Sequence, residues 1–288
     1  MDLSQIKQEI SLNQLIQDFE LAKEVQGHLT RLGFLDPPAD GKFGQMSTQA
    51  LHNFKQRMRI SEVGIGARTS EYLLGLEIFA LLNLGQDLAD RIVRYMQAKK
   101  YFVAIGLRHY NIIYLEGANA NGMPNLDRMN EWNDRRIIIE IPGAKPLIRG
   151  NWAATTEPGW TYTAKPLNPK GAFRIAFGQY KAWQVGTHKN HEALVQIAPV
   201  KGHRDRNKDG FRTGDPVVTG TFGINQHWGG DSARVDEWSA GCFVGQSRVG
   251  HRECMKLIKQ DERYQLNKNY THMTTIIPGD ELAKTFPG

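Results

Sequence analysis

The sequence predicts an α+β protein: a small three-helix N-terminal domain over residues 1–78, a helical connector over 79–100, and a mostly antiparallel β domain over 101–288. Three observations carry this expectation. Apolar residues recur at helical spacing through the first third of the chain. From Tyr101 onward the texture turns to short β-branched or alternating runs divided by Gly, Pro and Asn clusters. One amphipathic stretch near 247–259 stands apart as a late helix.

The elements follow in order. Leu12, Leu15, Ile16 and Phe19, then Leu21, Val25, Leu29 and Leu32, mark a helix over residues 12–33, closed by Gly33 as its C-terminal cap. Asp36-Pro37-Pro38-Ala39-Asp40-Gly41 reads as a turn-rich loop. A second helix from about Ser47 turns Ala50, Leu51, Phe54 and Met58 inward, and a third from about Thr69 does the same with Tyr72, Leu73 and Leu76. Ile78, Leu81, Leu82, Leu88, Ile92, Tyr95 and Met96 carry helical spacing through the connector. Strands are expected at 110–115, 137–141, 147–153, 172–177, 193–200, 221–227 and 273–277.

Composition narrows the classes of function. An apolar fraction of 40% over 288 residues is enough for real cores. Lys and Arg number 36 against 30 acidic residues, a net charge of +6 that favours polyanionic partners such as nucleic acid, anionic membranes or bacterial walls. The basic residues are scattered and accompany no nucleic-acid reading motif, so nucleic acid is not the expected partner. No apolar run reaches the length of a membrane span. The two cysteines offer no disulfide framework. The first residues include acids and lack an apolar core, so they do not read as a secretory signal. The expectation is synthesis in the cytoplasm, with action elsewhere only after release or delivery.

Chemistry concentrates in Gly223-Ile224-Asn225-Gln226-His227-Trp228-Gly229-Gly230 and the following Ser239-Ala240-Gly241-Cys242. His227 ends an alternating run, and an imidazole at a strand end can reach a thiol on a neighbouring turn. A free thiol is mostly protonated at neutral pH, so an adjacent base is what makes it a nucleophile. Backbone amides of Gly241 and Cys242 are candidate oxyanion donors, and Ser239 would orient the site. The reaction class is acyl transfer, with no cofactor and no metal. Cys254, on the amphipathic stretch with Leu257 and Ile258, reads as a core residue.

At these positions the chain resembles the L,D-transpeptidase family. His227, Gly229, Ser239, Gly241 and Cys242 match its pattern of His-Gly, a spacer, Ser or Thr, a variable residue, Gly and the nucleophilic Cys. Trp228 intrudes between the His and its Gly, Ala240 stands where that family usually has His, and Phe243-Val244-Gly245 replaces its hydrophobic-Arg pair. Arg248 is the nearest substitute for the missing arginine, and Trp228, Gly229 and Arg248 are taken as substrate-binding candidates.

Residues 14–76 closely resemble the three-helix peptidoglycan-binding domain. The matching positions are Val25-Gln26, Leu29, Leu32-Gly33-Phe34, Asp40-Gly41-Lys42-Phe43-Gly44, Thr48, Ala50-Leu51, Phe54-Lys55, Gly66 and Thr69. The resemblance implies adhesion to bacterial peptidoglycan, with Asp40, Gly41 and Phe43 near the binding groove.

Other constellations are weaker. Asp205-Arg206-Asn207-Lys208-Asp209-Gly210 begins like a calcium loop, yet Pro216 occupies the position of its bidentate Glu. His203, Asp205 and His227 match no zinc spacing. Asp236 and Glu237 are expected on the loop between His227 and Ser239. The combined expectation is a peptidoglycan hydrolase of phage-lysin or injected-effector type that cleaves a stem-peptide amide. The alternatives are an L,D-transpeptidase that forms cross-links and a non-catalytic wall-binding protein.

Overall fold

The computed structural model describes residues 1–288. The chain divides into two compact units, one of residues 1–85, 96–109 and 140–146 and the other of residues 86–95, 110–139 and 147–288. Helical and sheet-rich parts succeed one another along the chain, so the expected α+β class holds.

In the first unit, α1 (Leu12–Gln17), α2 (Phe19–Arg31), α3 (Gln45–Met58) and α4 (Ala67–Gly75) follow in sequence. The single helix expected over residues 12–33 is two. Asp18 adopts extended backbone, φ −96° and ψ 95°, and its carboxylate accepts the Leu21 N–H at 3.1 Å as the N-cap of α2. Such a cap contributes about 1 kcal/mol. Apolar spacing conceals the break because Leu15 before it and Leu21 after it are both buried. At the other end Gly33 follows the C-cap with φ +84°, and the Phe34 N–H donates to Leu29 O at 2.9 Å, as a glycine-terminated helix requires. A Cβ at Gly33 would also stand 2.4 Å from Val103 O, so this glycine admits the passing strand of chain as well.

Polar side chains shape the loops of this unit from inside. The buried Gln26 amide donates to Asp40 Oδ1, Lys42 O and Ser47 Oγ at 3.0, 3.1 and 3.0 Å, and its oxygen accepts the Gly41 N–H at 2.7 Å. Lys55 Nζ donates to the carbonyls of Glu62, Val63 and Gly64. Glu62 in turn accepts the N–H groups of Gly66, Arg68 and Thr69, capping α4, whose own N-cap residue Gly66 has no side chain to do so. Leu21, Val25, Leu29, Leu51, Ile65 and Leu73 fill the core, with Phe34 edge-on to Phe54 at 5.5 Å.

The connector contains a short 3-10 turn, Ile78–Leu81, and then α5 (Leu88–Ala98). The strands begin with β1 (Gly106–Glu116), β2 (Asp134–Ile141) and β3 (Leu147–Thr155). After α6 (Trp160–Ala164) come β4 (Ala172–Ile175), β5 (Gly178–His188), β6 (His191–Gln196), β7 (Val200–Asp205), β8 (Val217–Gly220), β9 (Gln226–Trp228) and β10 (Phe243–Gly245). The chain ends with α7 (Arg248–Gln260), α8 (Glu262–Leu266), β11 (His272–Pro278) and α9 (Gly279–Thr285). A closed barrel forms in the order β1-β11-β5-β6-β9-β10-β3-β2, and β4-β7-β8 make a separate small sheet. The pairs β5–β6, β5–β11, β6–β9 and β3–β10 are antiparallel, whereas β1–β11 and β9–β10 are parallel.

Two expected strands change. The run at 193–200 is split between β6 and β7, which belong to different sheets. The run at 221–227 contracts to Gln226–Trp228 because the Gln196 side chain takes over the hydrogen bonds of the preceding segment. Its oxygen accepts the N–H groups of Phe222 and Ile224 at 3.0 and 2.8 Å, and its amide donates to Gly220 O at 3.2 Å. Trp183, Tyr114 and Phe243 form the aromatic centre of the core, with ring centroids of Tyr114 and Trp183 at 4.6 and 5.5 Å from Phe243. The late helix lies where expected, as α7, burying Cys254, Met255 and Ile258 on one face.

Candidate active site

The parallel pairing of β9 with β10 positions the candidate nucleophile. Phe243 is in register with Gln226 and Val244 with His227, so Cys242 enters its strand opposite Asn225. Side chains alternate along a strand, which puts Asn225, His227 and Cys242 on one face. Neighbouring parallel strands need a long crossover, and the segment between Trp228 and Phe243 serves as one. The spacer between His227 and Cys242 is therefore a topological requirement of the site.

His227 and Cys242 both line a cleft of about 450 Å³, together with Gly223, His188, Lys189, Tyr162, Glu237 and Trp238. His227 Nδ1 lies 2.8 Å from Trp228 O. A carbonyl accepts only, so Nδ1 carries the proton and Nε2 keeps its lone pair. Burial pushes the imidazole down to about 4, against the raising effect of the Trp228 carbonyl, and the charges of His188, Arg136 and Lys189 lower it further. The half-buried Cys242 thiol donates to Gly223 O at 3.5 Å rather than to the imidazole. Burial raises its pKa, opposed by the Asn225 N–H and by Lys189.

Ser239 is fully buried, and its Oγ donates to Cys242 O at 2.8 Å while accepting the Gly241 N–H at 3.1 Å. Its role is to hold the turn that carries the thiol. The same contact corrects an expectation, because the Gly241 amide is engaged by Ser239 and is not free to meet an oxyanion; of the two amides named from sequence, Cys242's remains. Gly241 is required where it stands: φ is +118° and a Cβ would lie 2.5 Å from Phe173 O.

Several residues of the site carried no sequence signal. His188 stacks on His227 with centroids 4.8 Å apart, and its Nδ1 lies 3.0 Å from Asn225 Nδ2. Arg136 is buried beneath both strands and donates to Tyr114 Oη at 2.5 Å, His227 O at 3.1 Å and Phe243 O at 3.4 Å, with His251 Nδ1 at 3.0 Å. These residues come from distant strands, and only the barrel's closure brings them to β9 and β10.

The substrate-binding candidates fare unequally. Trp228 and Arg248 line a second cavity of about 400 Å³ adjoining the first. Gly229 does not face it: a Cβ there would stand 2.3 Å from the Trp132 ring, and its N–H donates to Gly245 O, so it serves packing. Glu237 lines both cavities, whereas Asp236 accepts from Asn130 Nδ2 at 2.7 Å. In the first unit Phe43 is 5% exposed and Gly41 is buried under Gln26, so both shape the loop from within, and Asp40 alone of the three is exposed.

The acidic loop after β7 is closed on itself, with Asp205 Oδ2 accepting the Gly210 N–H at 3.0 Å in the manner of an Asx-rich turn. Glu116, Asp127 and Glu157 bring carboxylate oxygens within 4.8 Å of one another. Arg212 grips Glu116 with both guanidinium nitrogens and Arg174 pairs with Glu157, so two guanidinium groups face three carboxylates, and burial together with the Glu116 charge pushes Asp127 up to about 6.

Residues 20–65 match the family model described as "Putative peptidoglycan binding domain", which places the N-terminal segment in that domain family. No curated protein matches the chain. Among solved structures, the chain is similar to a fused Zn-dependent amidase/peptidase/peptidoglycan-binding domain-containing protein from Clostridium acetobutylicum. The two are 14% identical over 88% of this chain and 94% of the other, with a TM-score of 0.24, at which no correspondence of fold or site follows.

Proposed function

We propose that this protein is a peptidoglycan hydrolase: the N-terminal domain holds the wall, and Cys242 attacks an amide carbonyl of the stem peptide or cross-link. The observation that carries the reading is that Cys242, immediately before β10, and His227, on the adjacent parallel strand β9, line one open cleft. The matched domain at residues 20–65 supports peptidoglycan as the partner.

In this mechanism the resting pair is a neutral thiol beside a neutral imidazole, because burial disfavours both charged forms. Nε2 of His227 takes the thiol proton as Sγ bonds to the carbonyl carbon. The Cys242 N–H donates to the resulting oxyanion. Collapse of the tetrahedral species expels the amine, which receives the proton from His227, and leaves a thioester on Cys242. Water, deprotonated by the same imidazole, then releases the acid and regenerates the thiol. An amine in place of water would give transpeptidation from the same thioester.

The test is digestion of purified peptidoglycan by the full chain, read by mass spectrometry of soluble fragments. Cys242→Ala and His227→Ala should each abolish fragment release, iodoacetamide should do the same, and EDTA should leave it intact. Release unchanged in both variants would reduce the protein to a wall-binding one.

A further inference from the structure

The cavity adjoining the Cys242 cleft has a chemistry that the thiol mechanism does not use. It shares His188, Lys189, His227, Glu237 and Trp238 with that cleft and adds His191, Trp228, Arg248 and Arg252. Arg248 and Arg252 lie one turn apart on α7, so both guanidinium groups reach the same indole, 6.0 and 5.5 Å from the Trp228 ring. His191 also packs against Trp228 at 4.1 Å, and His251 meets it edge-on at 5.8 Å. Lys189 arrives from the tip of the β5–β6 hairpin, where Lys189 and Asn190 both take left-handed backbone, φ 47° and 65°. That is the two-residue turn that twists with its strands, and it normally favours Gly or Asn over Lys.

The charges do not cancel within the protein. Arg248 Nε stands 3.6 Å from Asp231 Oδ2, a loose pair, while Lys189 and Arg252 have no carboxylate partner. Against these three cations the cavity wall holds one acid, Glu237. A guanidinium resting on an indole face is already oriented and presents its N–H fork outward, which suits a planar carboxylate. Two indoles supply apolar walls for the carbon chain that bears it.

We propose that this cavity is a carboxylate subsite: it binds a free carboxylate on the peptide whose amide lies at Cys242, with Arg252 and Lys189 as counter-charges and Trp228 and Trp238 as walls. The inference rests on the thiol reading for its catalytic meaning, since it sets which amide is offered to Sγ, but the binding event is separable from turnover.

The experiment uses the full-length Cys242→Ala protein and two probes, a soluble stem peptide with free carboxylates and the same peptide with every carboxylate amidated, titrated by calorimetry. The acid form should bind about tenfold more tightly at low salt, and the preference should shrink as salt rises. A variant that adds Lys189→Gln and Arg252→Gln, both at exposed positions, should lose the preference and keep its melting temperature. Equal affinity for the two probes, no binding of either, or a preference that survives the double substitution overturns the subsite. Failure of the thiol reading appears elsewhere, as wall turnover that persists in Cys242→Ala, so the two outcomes are distinguishable.

Discussion

Arg136 donates through Nη2 to the backbone carbonyl of His227 at 3.1 Å and to that of Phe243 at 3.4 Å, so one guanidinium ties the strand of the candidate base to the strand of the candidate nucleophile. The tie sits beneath the barrel surface, where these carbonyls have no access to water. Arg136→Met should therefore cost about 3 kcal/mol, from the buried hydrogen bonds it removes at His227 O, Phe243 O and the Tyr114 hydroxyl, seen as a lowered denaturation midpoint. Fragment release should fall by more than the loss of folded protein explains.

The pH profile of activity should be displaced toward acid. His227 is competent as a base only when neutral, and burial holds its pKa at about 4, below the usual histidine range. The acid limb of kcat/KM should accordingly fall near pH 4, measured with a soluble peptide. A limb at the ordinary histidine value would mean that His227 in the free enzyme is not the buried neutral base that this mechanism needs.

Stability should move with pH for the same reason. His227 and His251 have folded pKa values of about 4 and about 3, both depressed mainly by burial. The unfolded chain binds protons at these groups once pH falls below about 6.5, and the folded chain does not. Their contribution is thus fully present above that value and is lost progressively as pH falls through about 4 toward about 3. Denaturant melts between pH 7 and 4 should show the decline, and His251→Gln should reduce its slope.

Removing the Ser239 hydroxyl tests the nucleophile's turn. Ser239→Ala leaves the buried Gly241 N–H without its acceptor and Cys242 O without its donor. A loss of about 1–2 kcal/mol in stability is expected, with kcat reduced about tenfold if the turn shift costs the transition state a similar amount. KM should change less than kcat, because Ser239 has no exposure to the cleft.

In the N-terminal unit the side chain to change is Gln26. Gln26→Leu strips the Gly41 N–H of its acceptor and takes one donor each from Asp40 Oδ1, Lys42 O and Ser47 Oγ. The variant should lose about 2 kcal/mol and sediment less well with insoluble peptidoglycan, because the loop through Asp40 loses its shape. Gly41→Ala should do the same by another route: φ there is +74° and the added Cβ would meet the Phe19 ring at 2.3 Å.

Much of this was legible in the sequence, and the reasons differ by element. Gly33, Leu29 and Val25 announced α2 because helix periodicity and a left-handed cap are local properties. The break at Asp18 was not announced, since apolar positions on both sides continue the same spacing. Ser239, Gly241 and Cys242 stood out because a tight turn before a thiol needs those residue types at adjacent positions. His227 stood out because an imidazole ends an alternating run.

What the sequence determined by itself was a helical module of the peptidoglycan-binding type and the candidate thiol and imidazole, Cys242 and His227. What only the tertiary structure decided was their surroundings: His188 on His227, Arg136 beneath both strands, and Lys189 and Arg252 lining one cavity with Trp228. Those residues come from strands and a helix far apart in the chain, and hairpin and barrel closure, not local spacing, bring them to one site. The reassignment of Gly229, Gly241 and Phe43 from contact residues to packing and turn residues has the same origin. A backbone that must pass within van der Waals distance of another segment is set by that segment, and single-chain patterns do not record it.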